Sequence, residues 1–348
     1  MSQEDGQRTA KLRAPTMDDV ASAAGVSRAL VSLVMRNAPN VSDKRRKAVL
    51  KAADELGYRP NAAARSLAER RSNTLGVVVN DLHNTFFADV VDGIRDGAQA
   101  QGYRLLLNTS WLTDTNEQGA VEAFLEYRVD AILVLGARAS EEVLFEASKQ
   151  APLVTIGDII PRVDGVVNDD LRGGEMVVEY LSALGHRDIL HIDGGRGAGA
   201  AQRCEGFVLA MEDRGLEPRV ESGEFTEQSG VEATERLIAG GVLPTAIFAG
   251  NDLQAVGVID TLIGAGLRVP EDVSVVGYDN TYLARLRHIS LTTINQPRFE
   301  MGRLATDVAL DRLESGRRQA VRHVLTPELV VRDTTAPPSN RELKDLSA

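Results

Sequence analysis

Arg28, Ala29, Ser32 and Leu33 share one face of a short helical pattern whose other face is taken by Leu30, Val31 and Val34. Arginine forks onto a guanine edge, serine bonds to several base atoms, and alanine or leucine can meet a thymine methyl group. That face therefore suits the reading of base edges. A second set has different chemistry. Asp81, Asp158, Arg203, Asn251, Asp252 and Asp279 lie just beyond short apolar runs or in the loops after them, and Phe86 and Phe87 follow the first run. Carboxylates and an amide exchange hydrogen bonds with vicinal hydroxyls, Arg203 can fork onto two oxygens, and a phenyl ring can cover a sugar face. A nucleobase would engage much the same groups.

The first set needs short helices to hold it. Thr16 with Asp19 fits a capping box ahead of Val20, Ala21 and Ala24, and Gly25 ends that helix. Ser27 caps the next one immediately, and two helices joined by a tight glycine turn form a helix-turn-helix pattern. The outward start of its second helix enters the major groove in this motif. A third helix runs from Ser42 through Val49, Ala52, Ala53 and Leu56 to Gly57 and closes a small core. Its basic first turn would be a solvated face in isolation. Beside a helix-turn-helix it suits phosphate contact, so Thr16, Ser27, Ser42, Lys44 and Arg45 are the phosphate candidates.

Pro60 stops the third helix, and Asn61 can cap a segment of about two turns through Ala68. So short a helix is marginal in water. It is expected to order against DNA and its symmetry mate, with Asn61, Ala64, Arg65 and Leu67 in the minor groove and Leu67 as the wedge. Without DNA chemistry nearby it would read as a linker.

The second set needs parallel sheets. Apolar runs at 75–79, 104–107, 131–136 and 153–157, then at 189–192, 246–249 and 273–277, read as buried strands alternating with helices. Two such series imply two lobes of doubly wound α/β architecture, in which ligands bind beyond the carboxyl ends of the strands. Asp279 could also be a plain turn former, Asn251 a plain helix cap, and one of the two adjacent phenylalanines is expected in the core. The glycines of 194–203 do not have dinucleotide-fingerprint spacing and are expected to let a loop close over the cleft and present Arg203.

Charge follows the same division. Residues 1–73 carry +6 and the remainder −17 within a net charge of −11, so the basic end has the footprint of DNA contact. The single cysteine, Cys204, excludes a disulfide framework and fits a reducing cytoplasm. The polar first fifteen residues contain no signal peptide, and no membrane segment is evident. No phosphate-binding loop, nucleophile elbow or metal-ligand spacing among the five histidines is present, so neither catalysis, cofactor nor metal is expected. His186 and His191 are expected to be structural.

The runs TMDDVASAAGVS and VSDKRRKAVLKAADELGYRPNAAARSLA, with NTFFADVVDGI, GHRDILHI, AIFAGNDLQAVGV, DVSVVGYDN and LTTINQP, together resemble the LacI/GalR family of bacterial transcriptional regulators, from Thr16 to about Asp333. The resemblance implies a periplasmic-binding-protein-like core crossed three times by the chain. It also implies effector positions at Phe86, Phe87, Asp158, Arg203, Phe225, Asn251 and Asp279. One departure is Leu33, where the family commonly has a base-reading arginine, so no half-site sequence carries over.

The resulting organisation is a disordered leader (1–15), a helix-turn-helix headpiece (16–58), a hinge (59–73), a core (74–333) and a polar tail (334–348). Lobe one is expected at about 74–160 and 292–322, and lobe two at about 161–291 and 323–333. The expected function is a repressor that binds palindromic double-stranded DNA as a homodimer under a small-molecule effector. A sugar is favoured; a purine-type ligand or a protein corepressor is the alternative. A solute-binding protein would share the core but would have a signal peptide and no headpiece. The tail lacks heptad leucines, so it gives no basis for a tetramer.

Overall fold

The structure is a computed structural model that describes residues 15–59, 71–110 and 113–339. It divides into two compact units, Met1–Ser72 and Asn73–Ala348. The expected hinge residues Asn61, Ala64, Arg65 and Leu67 lie outside the described residues.

In the first unit, α1 (Met17–Ala24) begins at a complete capping box between Thr16 and Asp19, and Gly25 ends it in the left-handed conformation at φ 64°. Helix α2 (Arg28–Met35) starts where the Ser27 hydroxyl accepts from the Leu30 N–H. Helix α3 (Asp43–Glu55) packs over both, and Val20, Val31, Val34, Val49, Ala52 and Ala53 form the core. Two expectations are corrected. Ser42 stands at the cap of α3 but makes no side-chain cap bond, and Leu56 is exposed because it falls after the last helical turn. Val41 fills the core instead.

The second unit holds two sheets. Strands β1 (Thr74–Val79), β2 (Arg104–Thr109), β3 (Ala131–Leu135), β4 (Leu153–Ile156), β5 (Asp164–Asn168) and β11 (Arg322–Leu325) lie in the order β11-β5-β4-β3-β1-β2. All neighbours are parallel. The other sheet has the order β12-β10-β9-β8-β6-β7. Its strands are β6 (Ile189–Ile192), β7 (Arg219–Glu221), β8 (Ala246–Ala249), β9 (Ser274–Asp279), β10 (Thr292–Asn295) and β12 (Glu328–Val330), the last antiparallel to β10.

These registers correct the lobe boundaries. β5 belongs to lobe one, so the first crossing follows Asn168 and not residue 160; β10 belongs to lobe two; and β11 returns to lobe one, so the last crossing falls between Leu325 and Glu328. The three short strands carry Asp, Asn, Thr, Arg or His among their apolar residues, and pairing across the sheet rather than a local apolar run makes them strands. β2 is also corrected. Its leucines read as buried, yet β2 is an edge strand with Leu106 and Leu107 exposed. Nor is the tail free from residue 334: Thr334 is buried and donates to the Val275 carbonyl, and the Ala336 carbonyl accepts from Ser274.

Helix α4 (Thr85–Ala100) and helix α11 (Arg298–Ser315) lie against the lobe-one sheet and touch each other at glycines. A Cβ on Gly93 would run into the Phe299 carbonyl, and one on Gly302 into that of Val90. Gly119, exposed on helix α5 (Asp114–Glu126), faces open space. Gly93→Ala is therefore expected to destabilise by about 1–3 kcal/mol through overpacking. Gly119→Ala is expected to stabilise by up to about 1 kcal/mol through helix propensity. Urea midpoints of the two variants on opposite sides of the parent would bear this out; equal shifts would not.

Candidate functional site

On the headpiece, Arg28, Ala29 and Leu33 are exposed and Ser32 is half-buried, so α2 presents all four away from its core. Leu33 has 39% of its surface exposed and stands outside the headpiece core cluster. Arg28 lies 3.6 Å from Asp18, an exposed pair that is worth little and is readily exchanged for another partner. Ser27, Ser42, Lys44 and Arg45 are exposed, and Ser42 keeps its hydroxyl free of a cap bond. Thr16 differs, since its hydroxyl donates to Asp19 at 2.7 Å. Arg46, from the same basic run, turns inward and bonds Asn37 and the Ala38 carbonyl, which fixes the loop between α2 and α3.

In the second unit the carboxyl ends of both sheets meet at a cavity of about 60 Å³. Its wall includes Asn80 and Asp81 after β1, Arg138 after β3, Gly157 after β4, Asp170 after β5 and Asp279 ending β9. Phe86, Phe87, Arg203, Phe225 and Gln296 also line it, with Asn84, Glu224 and Thr226 adding further polar groups.

Arg203 is its most constrained member. It lies on helix α8 (Ala200–Glu212) with 2% of its surface exposed. Nη2 donates to Asp170 Oδ1 at 2.9 Å, Nη1 donates to the Gly250 carbonyl, and the guanidinium carbon sits 3.4 Å from the centre of the Tyr278 ring and 5.1 Å from that of Phe225. Its buried Nε–H has no hydrogen-bond partner among the described residues. The glycine loop makes this packing possible. Gly194 and Gly197 press on the Phe225 ring, and Gly199, at φ 74°, leaves no room for a Cβ beside the Asp170 carboxylate.

Asp279 is buried at a backbone φ of 110°, a conformation costing about 1–3 kcal/mol for a non-glycine residue, and accepts from Gln296 Nε2 at 2.6 Å. Its neighbour Asp252, on helix α10 (Asp252–Gly264), accepts from Thr281 and Thr293.

Comparison with known proteins decides what this combination is. Residues 16–61 match the model described as bacterial regulatory proteins, lacI family, and residues 178–335 match the periplasmic binding protein-like domain. The HTH-type transcriptional repressor PurR of Vibrio vulnificus (strain CMCP6) is 35% identical over 328 residues, covering 92% of this chain and 98% of its own. The chain belongs to the lacI family of bacterial regulatory proteins. Two solved structures extend the likeness. A lac repressor dimer bound to operator and the anti-inducer ONPF is 28% identical, with a TM-score of 0.84 over 93% of this chain and 100% of that one. A complex of the transcriptional regulator CelR with cellobiose is 32% identical, with a TM-score of 0.69 over 92% of this chain and 99% of that one.

As a lacI-family protein it is a DNA-binding transcriptional regulator. Of the expected effector positions, Phe86, Phe87, Arg203, Phe225 and Asp279 line the cavity; Asp158 and Asn251 do not. Asn251 caps α10 by accepting from the Gln254 N–H and donates to the Phe225 carbonyl, so it positions that ring from behind. Asp158 is one residue past the lining Gly157, and its Oδ2 is buried without a hydrogen-bond partner. The expected core phenylalanine is found twice over: both rings belong to the lobe-one core and both also reach the cavity, edge to face at 84°. Asp170, Tyr278 and Gln296 were not expected. Asp170 was hidden because β5, whose carboxyl end it follows, carries no continuous apolar run.

His186 bonds Thr245 and the Ala336 carbonyl. Burial pushes His191 down to about 4, leaving a neutral ring stacked on Phe248. Among the described residues no group of His, Cys, Asp or Glu could hold a metal ion, and no helix is long and apolar enough to cross a membrane.

Burial raises the Asp158 carboxyl from 3.8 to about 7, helped by the charges of Glu117 and Asp170. Burial also raises Asp279, and the Asp252 charge adds to it. A carboxyl whose folded value is raised holds its proton where the unfolded chain has lost it. Its contribution to stability thus falls as pH rises from the ordinary carboxylate range toward the folded value. In ligand-free protein, the change of thermal midpoint between about pH 5 and pH 7 should be less negative, or more positive, in Asp158→Asn than in the parent. An unchanged slope would show Asp158 to be ionised throughout.

Proposed function

We propose that the protein is a transcriptional repressor that binds palindromic DNA as a homodimer and changes its operator affinity when a sugar occupies the interlobe cavity. The observation that carries the effector reading is the fixed set around Arg203. A buried Nε–H without a partner, the Asp279 and Asp170 carboxylates and the Gln296 amide converge beside the Phe225 ring. Pre-oriented polar groups beside an aromatic ring suit a polyhydroxyl ligand. The CelR relative solved with cellobiose supports the same class, and the PurR relative supports repression. Exposed Leu106 and Leu107 on the edge strand β2 suit contact with a second copy.

A sugar that prefers one lobe arrangement acts through the three crossings, where the lobes can turn. Such a ligand shifts the balance between lobe arrangements, with a coupling of about 1–3 kcal/mol to DNA affinity. A second reading, a planar nitrogenous base, has its own support in the three phenylalanine rings, Phe86, Phe87 and Phe225, that line the cavity.

Thermal unfolding with a panel of pentoses, hexoses, disaccharides and purines separates these readings, because a cleft ligand stabilises in proportion to the logarithm of its concentration over its Kd. A shift with sugars that is lost in Asp279→Asn and Phe225→Ala is expected. A shift with purines alone transfers the site to the second reading, and none with any of them removes both.

For the DNA face, selection from random duplexes should enrich an inverted repeat. Lys44→Ala should lower affinity evenly across sequences and reduce the salt slope by about one, whereas Arg28→Ala should relax preference at one position of each half-site. Enrichment of an unrepeated site would contradict the dimer reading.

A further inference from the structure

A groove of about 650 Å³ on lobe one is lined by Lys149, Arg162, Arg312, Arg317 and Arg318 and by no acidic side chain. It lies at the opposite end of the sheet from the cleft. The residues just before β4, β5 and β11 form its rim, namely Pro152, Arg162 and Ala320, whereas the cleft is lined by residues that follow the strands. The parallel registers bring the start of β1, where the chain enters the core at Asn73, to that same end.

The cations are pre-arranged. Arg312 and Arg317 are anchored on the fully buried Asp164 carboxylate at 3.0 and 2.9 Å, and their side chains keep only 12% and 19% of their surface exposed. Arg162 lies over the Phe145 ring, 3.6 Å from its centre, and Lys149 lies over the same ring. Nearby acids offset part of this charge: Glu146 pairs with Lys149, Asp311 with Arg317, and Asp164 with two arginines. Neither Arg162 nor Arg318 forms a salt bridge among the described residues. A concentration of positive charge in a core that carries −17 over residues 74–348 calls for an anion.

We propose that this groove is a binding site for a phosphate-bearing small molecule, distinct from the effector cleft. A phosphate group presents several strong acceptor oxygens to the planar forks of several arginines at once. The recessed Arg312 and Arg317 are reached by a small anion that enters the groove, not by the outer surface of a duplex. The site shares its end of the sheet with the start of β1, close to where the chain enters the core at Asn73.

Calorimetric titration of the full chain with inorganic pyrophosphate and with inorganic phosphate tests the proposal. Pyrophosphate should bind, and the double variant Arg162→Gln/Arg318→Gln, altered only at exposed side chains, should lose about tenfold or more in affinity. The cleft variant Asp279→Asn should bind pyrophosphate as the parent does, which keeps this result independent of the effector reading. Absence of binding to the parent, or equal affinity in the double variant, overturns the proposal. So does a double variant that loses affinity for a random-sequence duplex while pyrophosphate binds neither protein, since the groove would then be a DNA-backbone contact.

Discussion

A guanidinium taken out of water needs partners for its charge, and the second unit is arranged around that requirement at Arg203, which leaves only the Nε–H unmatched. Asp170 and the Gly250 carbonyl take its ends, and Tyr278 takes one face. The Tyr278 hydroxyl in turn accepts from Asn168, the last residue of β5, so the network spans the first crossing between lobes. Deleting one member of such a pair leaves an uncompensated buried charge, at a cost of about 3–5 kcal/mol. The same requirement dictates backbone elsewhere. Gly173 leaves space for the Tyr278 hydroxyl, Gly174 for the backbone at Arg203, and Gly199 for Asp170. The stretches that carry Asp170, Gly250 and Tyr278 are thus held to one side chain.

What was legible in the sequence is what local physics decides. Thr16 with Asp19, and Ser27, announce helix starts because a side-chain oxygen and an unpaired N–H stand a fixed number of residues apart. β1, β3 and β8 announce themselves because burial on both faces demands continuous apolar runs. The rule that ligands sit beyond the carboxyl ends of strands led to the right end of both sheets. It could not say which side chain of a loop turns inward, and so it named Asp158 and Asn251 beside Gly157 and Phe225. β5, β10 and β11 were not legible for another reason. Their strand character comes from partners 10 to 157 residues away, as the pairs Val154 with Asp164 and Gly165 with Arg322 illustrate. The lobe boundaries depended on those three strands.

The inversion at β2 has the same origin. Three consecutive leucines predict burial, yet the strand is the last of its sheet, and part of its apolar surface remains exposed within a single chain. A local pattern reports what a strand would bury; only assembly determines what covers it.

The raised carboxyl of Asp279 ties the cleft's electrostatics to its proposed ligand. Burial and the Asp252 charge disfavour ionisation and prevail over Arg203, Arg298 and the bond from Gln296, so the carboxyl group holds its proton above the ordinary carboxylate range. Ionised, Asp279 only accepts; protonated, it also donates. A sugar hydroxyl that donates to it adds one more bond to the charged form and lowers its proton affinity. Binding of such a ligand would then release a proton and tighten as pH rises. A base that presents an acceptor there would favour the protonated form and tighten as pH falls. The direction of the proton linkage thus reports whether the bound ligand donates to that carboxyl group or accepts from it.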